Sequence, residues 1–149
     1  MIFLKENKLL ETLNKAHSFK KYIFAGLSDE FGYGLNKTQR GVLMYISFAG
    51  SVSMKEVSER FALEKGSFTQ VADSLEKLSL IERKRCESDR RIVYLTTTDK
   101  GKEVALNIHK SVEKRVESLL NRLPAIEKRN FLNCLDKIVE DIDIIQKGN

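Results

Sequence analysis

The sequence predicts a mainly α-helical protein with one small β-hairpin. Its 149 residues include a single proline and eight glycines, a composition that favours long uninterrupted helices. Apolar residues recur at spacings of three and four along most of the chain. Two neighbouring runs, IERKRC (81–86) and RIVYLT (91–96), instead have the alternation or the β-branched and aromatic content typical of strands.

Four helices are predicted before these strands, over about 4–31, 37–49, 53–61 and 65–78. The first ends at the glycines of FGYGLN (31–36). Asn36 can cap the second, and SMKE (53–56) has the S-x-x-E pattern of a capping box that opens the third. The third and fourth are short and closely spaced, which is the outline of a helix-turn-helix. The apolar side of the second helix is predicted to contain Val42, Leu43, Ile46 and Phe48.

The two extended runs predict a β-hairpin with the polar turn ESDR (87–90). A charged hairpin directly after a helix-turn-helix makes a winged helix-turn-helix. Two long helices follow, over about 99–121 and from Pro124 onward. The last helix carries a narrow apolar seam with the 4-3-4-3 spacing of a coiled coil, formed by Phe131, Leu135, Ile138, Ile142 and Ile145.

Composition and charge restrict the partners and the location that the protein can have. The net charge of +5 is compatible with a polyanionic partner. No run of about 18 apolar residues is present, so no membrane span is expected. The start, MIFLKENKLLE, does not have the pattern of a signal peptide, and the expected location is the cytoplasm.

The chain also lacks the patterns of a disulfide framework, a metal site or an enzyme. Cys86 and Cys134 lie far apart, and His17 and His109 have no partners at metal-ligand spacing, so no metal and no cofactor is expected. Neither G-x-S-x-G, nor a glycine-rich phosphate loop, nor H-E-x-x-H occurs. We therefore do not expect an enzyme.

The fourth helix begins with KGSFTQ (65–70). Phe68 has the spacing of a core residue, which leaves Ser67, Thr69 and Gln70 on the exposed side. A recognition helix places its first turns in the major groove, where Gln can pair with adenine and Ser or Thr can reach bases or phosphates. Lys65 would attract phosphate. Taken alone, a polar helix start is more often ordinary surface; the adjoining capped helix and basic hairpin favour double-stranded DNA.

The hairpin tip is narrow enough to enter a minor groove, where an arginine senses groove width and negative potential. We predict that Arg91 is the inserted residue, that Asp89 holds its guanidinium, and that Arg90 contacts phosphate. Ser53, at the start of the third helix, is also included among the predicted DNA-binding residues.

Residues 63–104 resemble the core signature of the MarR family of transcription regulators. The matching motifs are LEK (75–77), IER (81–83), the D-x-R of the wing (89–91) and T-x-x-G (98–101). The resemblance implies a homodimeric repressor that binds a pseudo-palindromic operator. It implies dimerisation helices in 1–34 and 102–149 around a winged helix-turn-helix in 35–101. Ser79 stands where the family usually has glycine, so it must adopt a left-handed conformation or the helix must end another way.

The resemblance further implies a crevice for a small, often anionic aromatic effector. In this chain the crevice would involve His17, Phe24, Arg40 and Met44, although each of them taken separately is more often a core or surface residue. Two alternatives stay open. One is a redox-responsive regulator, because the basic residues of RKR (83–85) could lower the pKa of Cys86. The other is a winged-helix protein-interaction module without DNA binding.

Overall fold

The computed structural model describes residues 2–25 and 33–147, and it confirms a mainly helical winged-helix fold. The first predicted helix, 4–31, is present up to Ala25, and residues 26–31 of its predicted range lie outside the described residues. The chain divides into two compact units, Met1–Val112 and Glu113–Asn149. In chain order the elements are α1 (Ile2–Ala25), α2 (Lys37–Ala49), β1 (Ser51–Ser53), α3 (Met54–Arg60), α4 (Lys65–Lys77), β2 (Ile81–Arg85), β3 (Val93–Thr97), α5 (Asp99–Leu120) and α6 (Ala125–Lys147).

The core of the first unit lies where α2, α3, α4, the sheet and the start of α5 meet. The apolar side predicted for α2 is correct at three positions and wrong at Phe48, which is 93% exposed. Phe48 follows Ile46 by two residues, which on an α-helix places it about 200° around the axis from the buried face. The buried side chains of this core include Val42, Leu43, Ile46, Val57, Phe68, Ala72, Leu75, Leu80, Ile81, Leu95, Val104 and Ile108.

The wing belongs to a three-stranded sheet with the strand order β1-β3-β2, and both pairings are antiparallel. The predicted hairpin is present, but β1 was not predicted. β1 pairs Val52 with Leu95 and thereby ties the helix-turn-helix to the wing. The loop between β2 and β3 is longer than the predicted turn 87–90. The Cys86 amide donates to the Ile92 carbonyl at 3.0 Å, and the Ile92 amide donates to the Asp89 carbonyl at 2.9 Å.

Side-chain caps define the starts of α2 and α3. Asn36 and Gln39 form a reciprocal capping box, in which each side chain accepts a hydrogen bond from the other's amide, at 2.9 and 2.8 Å. At α3 only half of the predicted box forms. Ser53 accepts from the Glu56 amide at 3.2 Å, while the Glu56 carboxylate accepts from the Tyr45 hydroxyl at 2.8 Å.

Helix α4 ends in a Schellman motif. The Ser79 amide donates to the Glu76 carbonyl at 2.8 Å, and the Leu80 amide donates to the Leu75 carbonyl at 3.0 Å. Ser79 adopts a φ of 58°, which is the left-handed conformation that favours glycine. Of the two outcomes expected for Ser79, the left-handed cap is therefore correct.

In the second unit, α6 presents an apolar face to solvent. Its seam residues Leu135, Ile138, Ile142 and Ile145 are between 42% and 68% exposed, as a single chain is described. Cys134 is also exposed on this helix. An exposed apolar seam of this length is typical of a surface that another chain covers.

Candidate nucleic-acid interface and ligand cavity

The start of α4 is anchored by one aromatic side chain. Phe68 is only 1% exposed, and its amide donates to the Glu64 carbonyl at 2.9 Å in the first turn. Ser67 and Gln70 are exposed on the outer side of this turn, and Thr69 is half-buried beside them. The side chain of Lys65 lies outside the described part of the structure. Ser67 and Gln70 are therefore accessible to a binding partner, and the buried Phe68 anchors this turn of the helix to the core.

At the wing tip, one carboxylate oxygen of Asp89 organises Arg91. Asp89 Oδ1 accepts from the Arg91 amide at 3.0 Å and from Arg91 Nε at 3.2 Å. The Arg91 side chain is 92% exposed, and no described residue bonds its two terminal nitrogens. Arg90 is also exposed. The contact therefore directs the base of the guanidinium while its outer edge remains available for an acceptor.

Ser53 is placed differently from the other predicted contact residues. It is the N-cap of α3, and its hydroxyl is already an acceptor for the Glu56 amide. Ser53, the α4 start and the wing tip lie on three different parts of the chain. They are separate elements, and the contacts that fix their relative positions lie elsewhere.

One of these contacts, missed at the level of sequence, is a clamp formed by Arg83. Its Nη2 lies 2.6 Å from Asp73 Oδ1 and its Nη1 lies 2.9 Å from Glu76 Oε2. Both acids are on α4 and Arg83 is on β2, so the clamp joins α4 to the wing. The sequence does contain a signal for this clamp, which is a pair of acids three residues apart on a predicted helix, followed by an arginine on the next strand.

A second contact joins the end of α4 to the start of α5. Thr98 Oγ1 donates to the Ser79 carbonyl at 2.7 Å and accepts from the Gly101 amide at 2.9 Å, while the Thr98 amide donates to the Leu80 carbonyl at 3.1 Å. A Cβ on Gly101 would lie 1.8 Å from the Leu80 carbonyl oxygen. The T-x-x-G motif is therefore a close backbone approach that only glycine permits.

A cavity of about 520 Å³ lies between α1 and the winged helix, within the first unit. All four residues predicted for the ligand crevice, His17, Phe24, Arg40 and Met44, line it. Arg40 is oriented by its own helix start, because its Nη1 donates to the Leu35 carbonyl at 2.8 Å. The sequence did not indicate the remaining lining residues, which are Lys20, Lys21, Lys37, Thr38, Gly41, Phe61 and Ile108.

Cys86 directly follows β2 instead of lying within it, and its Sγ is 3.1 Å from Ser88 Oγ. The hydrogen bond with Ser88 lowers the pKa of the Cys86 thiol below its ordinary value, and backbone hydrogen bonds of Asp89 and Ser88 lower it further. The predicted direction is correct, but the predicted cause is wrong. The basic side chains of residues 83–85 do not produce this effect; the loop after β2 does, by presenting hydrogen-bond donors to the sulfur.

Two absences concern the described ranges 2–25 and 33–147 alone. Within them, no helix combines the length and the apolar character that crossing a membrane demands. The same residues contain no cluster of three or more His, Cys, Asp or Glu side chains arranged to hold a metal ion.

Comparison with known proteins identifies the family. The model of the MarR family matches residues 33–92. The HTH-type transcriptional regulator SarZ of Staphylococcus epidermidis is 31% identical over 107 residues, covering 72% of this chain and 71% of SarZ. The uncharacterized HTH-type transcriptional regulator YwhA of Bacillus subtilis is 27% identical over 106 residues, covering 71% of this chain and 76% of YwhA.

The fold agrees with that of solved relatives. A mutant MarR from E. coli, complexed with operator DNA, aligns with a TM-score of 0.66 at 21% identity, over 89% of this chain and 96% of that one. The relatives are transcriptional regulators, which are a non-enzymatic class of protein. This confirms the prediction that the chain is not an enzyme. The chain belongs to the MarR family of transcriptional regulators.

Proposed function

We propose that this protein is a sequence-specific repressor that binds double-stranded DNA as a homodimer in the cytoplasm. Its operator is pseudo-palindromic, and a small anionic molecule in the cavity between α1 and the winged helix modulates binding. One observation carries the proposal. The exposed polar start of α4 and an exposed arginine directed by Asp89 stand on elements that a clamp and a sheet hold together.

The start of α4 reads sequence in the major groove. The amide of Gln70 can donate to and accept from an adenine edge, and a bidentate pair of this kind contributes roughly 1–3 kcal/mol of discrimination. Ser67 and Thr69 reach neighbouring base edges or phosphates. Lys65 and Ser53 add backbone contacts, which fix the register of the protein without reading the bases.

The wing reads groove shape. Arg91 enters the minor groove, where a narrow A·T-rich segment concentrates negative potential. Asp89 limits the conformations that Arg91 must give up on binding, since its Oδ1 already holds Nε and the amide. Arg90 contacts the phosphates beside the groove.

The homodimer is supported by apolar surface that a single chain leaves in water. Leu9, Leu10 and Leu13 of α1 are each more than half exposed, and so are Ile138 and Ile145 of α6. Complete burial of one such side chain contributes about 1.5–3 kcal/mol. The segments 1–34 and 102–149 are therefore proposed as the dimerisation helices, with the DNA-binding region in 35–101.

Selection of random duplex DNA on the purified protein, repeated over a salt titration, tests the proposal. We expect enrichment of a two-fold symmetric site whose half-sites lie about one helical turn apart. Affinity should fall steeply with salt, because lysine and arginine contacts release counterions from phosphates. Absence of binding at low salt would contradict the proposal and favour the alternative of a protein-interaction module.

The wing is tested by Arg91→Ala, with Arg122→Ala as the matched control. Arg122 is an exposed arginine in the turn after α5, so both variants lose one positive charge. We expect Arg91→Ala to weaken operator binding strongly and to leave the melting temperature nearly unchanged, whereas Arg122→Ala behaves as the wild type. Wild-type affinity in Arg91→Ala would exclude the minor-groove role.

A second candidate is a redox response through Cys86, favoured by the lowered pKa of its thiol. Cys86 follows β2 directly, so oxidation of its sulfur would disturb the base of the wing. We expect peroxide to release the wild type from its operator and to have no effect on Cys86→Ser. Equal release of both proteins would remove this candidate.

A further inference from the structure

The cavity between α1 and the winged helix has two chemically different walls. One wall is apolar and consists of Phe24, Met44, Phe61 and Ile108. The other wall is basic, and no acidic residue is among the described residues that line the cavity. Its members are His17, Lys20, Lys21, Lys37 and Arg40.

The lysines of the basic wall have no counter-charge in the described structure. Lys20, Lys21 and Lys37 form no ion pair with any side chain that the structure describes. Elsewhere in the same chain, Lys15 pairs with Glu11 at 2.6 Å, and other exposed lysines on α3, α5 and α6 also meet carboxylates. The wall thus concentrates positive charge that the described fold does not neutralise.

The start of α2 adds to this positive potential. Lys37 and Thr38 are in its first turn, and both line the cavity. The N-terminus of a 13-residue helix carries a partial positive charge and favours anions. The helix start, the lysines and Arg40 therefore act in the same direction on any charged occupant.

A ligand with a single negative charge would neutralise only a small part of the positive charge on this wall. We propose that the effector of this protein is an amphiphile with a doubly charged anionic head, such as a phosphate monoester, on an apolar body. The head lies against the basic wall and the body against the wall of Phe24, Met44, Phe61 and Ile108. The volume of about 520 Å³ is within the range of small-molecule sites. This proposal rests on the ligand response included in the proposed function and specifies its chemistry.

Two pairs of isosteric probes separate charge from shape. Phenyl phosphate and phenyl sulfate share the same ring and a tetrahedral head, as hexyl phosphate and hexyl sulfate share the same chain. The second pKa of a phosphate ester is about 6, so the phosphates carry nearly two charges at pH 7.5, whereas the sulfates carry one. Calorimetric titration of the full chain at fixed salt measures each affinity.

We expect the phosphate of at least one pair to bind about tenfold more tightly than its sulfate at pH 7.5. This advantage should shrink at pH 5, where the phosphate has mostly one charge. Inorganic phosphate alone should bind more weakly than the esters, because it leaves the apolar wall uncovered. Equal affinities within both pairs, tighter binding of the sulfates, or no binding of any probe would overturn the proposal.

Variants locate the bound head group. Lys37→Ala and Lys21→Ala should each weaken phosphate binding several-fold and reduce the preference over sulfate. Lys77→Ala is the matched control, because Lys77 is exposed at the end of α4, does not line the cavity, has the same charge and lies outside the proposed dimerisation segments. An equal loss in Lys77→Ala would mean that the probes respond to overall charge, and the proposed site would be wrong.

The two proposals fail separately. Operator binding is measured without any ligand, and ligand binding is measured without DNA. A protein that binds an operator but prefers the sulfates refutes only the ligand class. One that binds the phosphates at this cavity but no DNA refutes only the proposed function.

Discussion

Replacement of Arg83 by methionine removes the clamp between β2 and α4 while keeping most of the apolar stem. Arg83 makes two ion pairs, at 2.6 Å to Asp73 and 2.9 Å to Glu76, and its side chain is 25% exposed. The carboxylates are 57% and 41% exposed, so water can hydrate them once the arginine is gone. At about 0.5–1 kcal/mol for each partly screened pair, we expect a loss of about 1–2 kcal/mol in the free energy of unfolding.

Urea unfolding at one fixed protein concentration measures this loss. A double-mutant cycle of Arg83→Met and Glu76→Gln isolates one of the two pairs, with an expected coupling of about 0.5–1 kcal/mol. A change below about 0.3 kcal/mol would mean that the clamp is too well solvated to stabilise the fold. A change above about 3 kcal/mol would mean that the carboxylates are effectively buried, contrary to their exposure.

The same variant has a second readout. If the clamp sets the angle between the wing and α4, Arg83→Met should weaken operator binding although Arg91 and Gln70 are intact. Arg83→Lys should fall between the two proteins, because an ammonium group lacks the fork that meets both carboxylates. Unchanged operator affinity in Arg83→Met would show that the wing keeps its position without the clamp.

Three further predictions concern the end of α4, the start of α5 and the wing loop. Ser79→Gly should raise the free energy of unfolding by about 0.5–1 kcal/mol, since glycine adopts the left-handed conformation without strain; Ser79→Ala is the control, and thermal unfolding that shifts equally in both would contradict this reason. Gly101→Ala should lower stability by more than about 2 kcal/mol in urea, because a Cβ would lie 1.8 Å from a backbone carbonyl oxygen; unchanged stability would refute the close approach. In a Cys134→Ser background, Ser88→Ala should move the midpoint of Cys86 alkylation to higher pH, because loss of the hydrogen bond raises the pKa of the thiol; an unmoved midpoint would assign the effect to the backbone.

Local signals in the sequence predict most of the fold. The Asn36 cap, the apolar spacing of α4 and the T-x-x-G motif each act within a few residues, and each marks an element that the structure contains. Phe48 shows where this approach fails, because an apolar residue near a helical stripe is not necessarily on it. β1 shows a second kind of failure, since three residues are too few to display a period. Its pairing with β3 joins segments more than 40 residues apart.

The candidate site is predictable only in part for the same reason. The Asp89–Arg91 contact spans two residues and follows from the sequence alone. The Arg83 clamp depends on the packing of a strand against a helix. The basic wall of the cavity depends on which faces of α1 and α2 meet, so Lys21 and Lys37 could not be selected from the many other lysines of the chain.

The contact that joins the end of α4 to the start of α5 has a consequence for which substitutions the chain can tolerate. The groups of Ser79 and Leu80 that Thr98 and Gly101 approach are main-chain carbonyls, which a residue of any type provides. A substitution of Ser79 therefore changes the energetic cost of the left-handed conformation without removing the hydrogen bonds to Thr98. This explains why serine is tolerated at position 79. Position 101 has no such freedom. Substitution of Ser79 should therefore be tolerated more readily than substitution of Gly101.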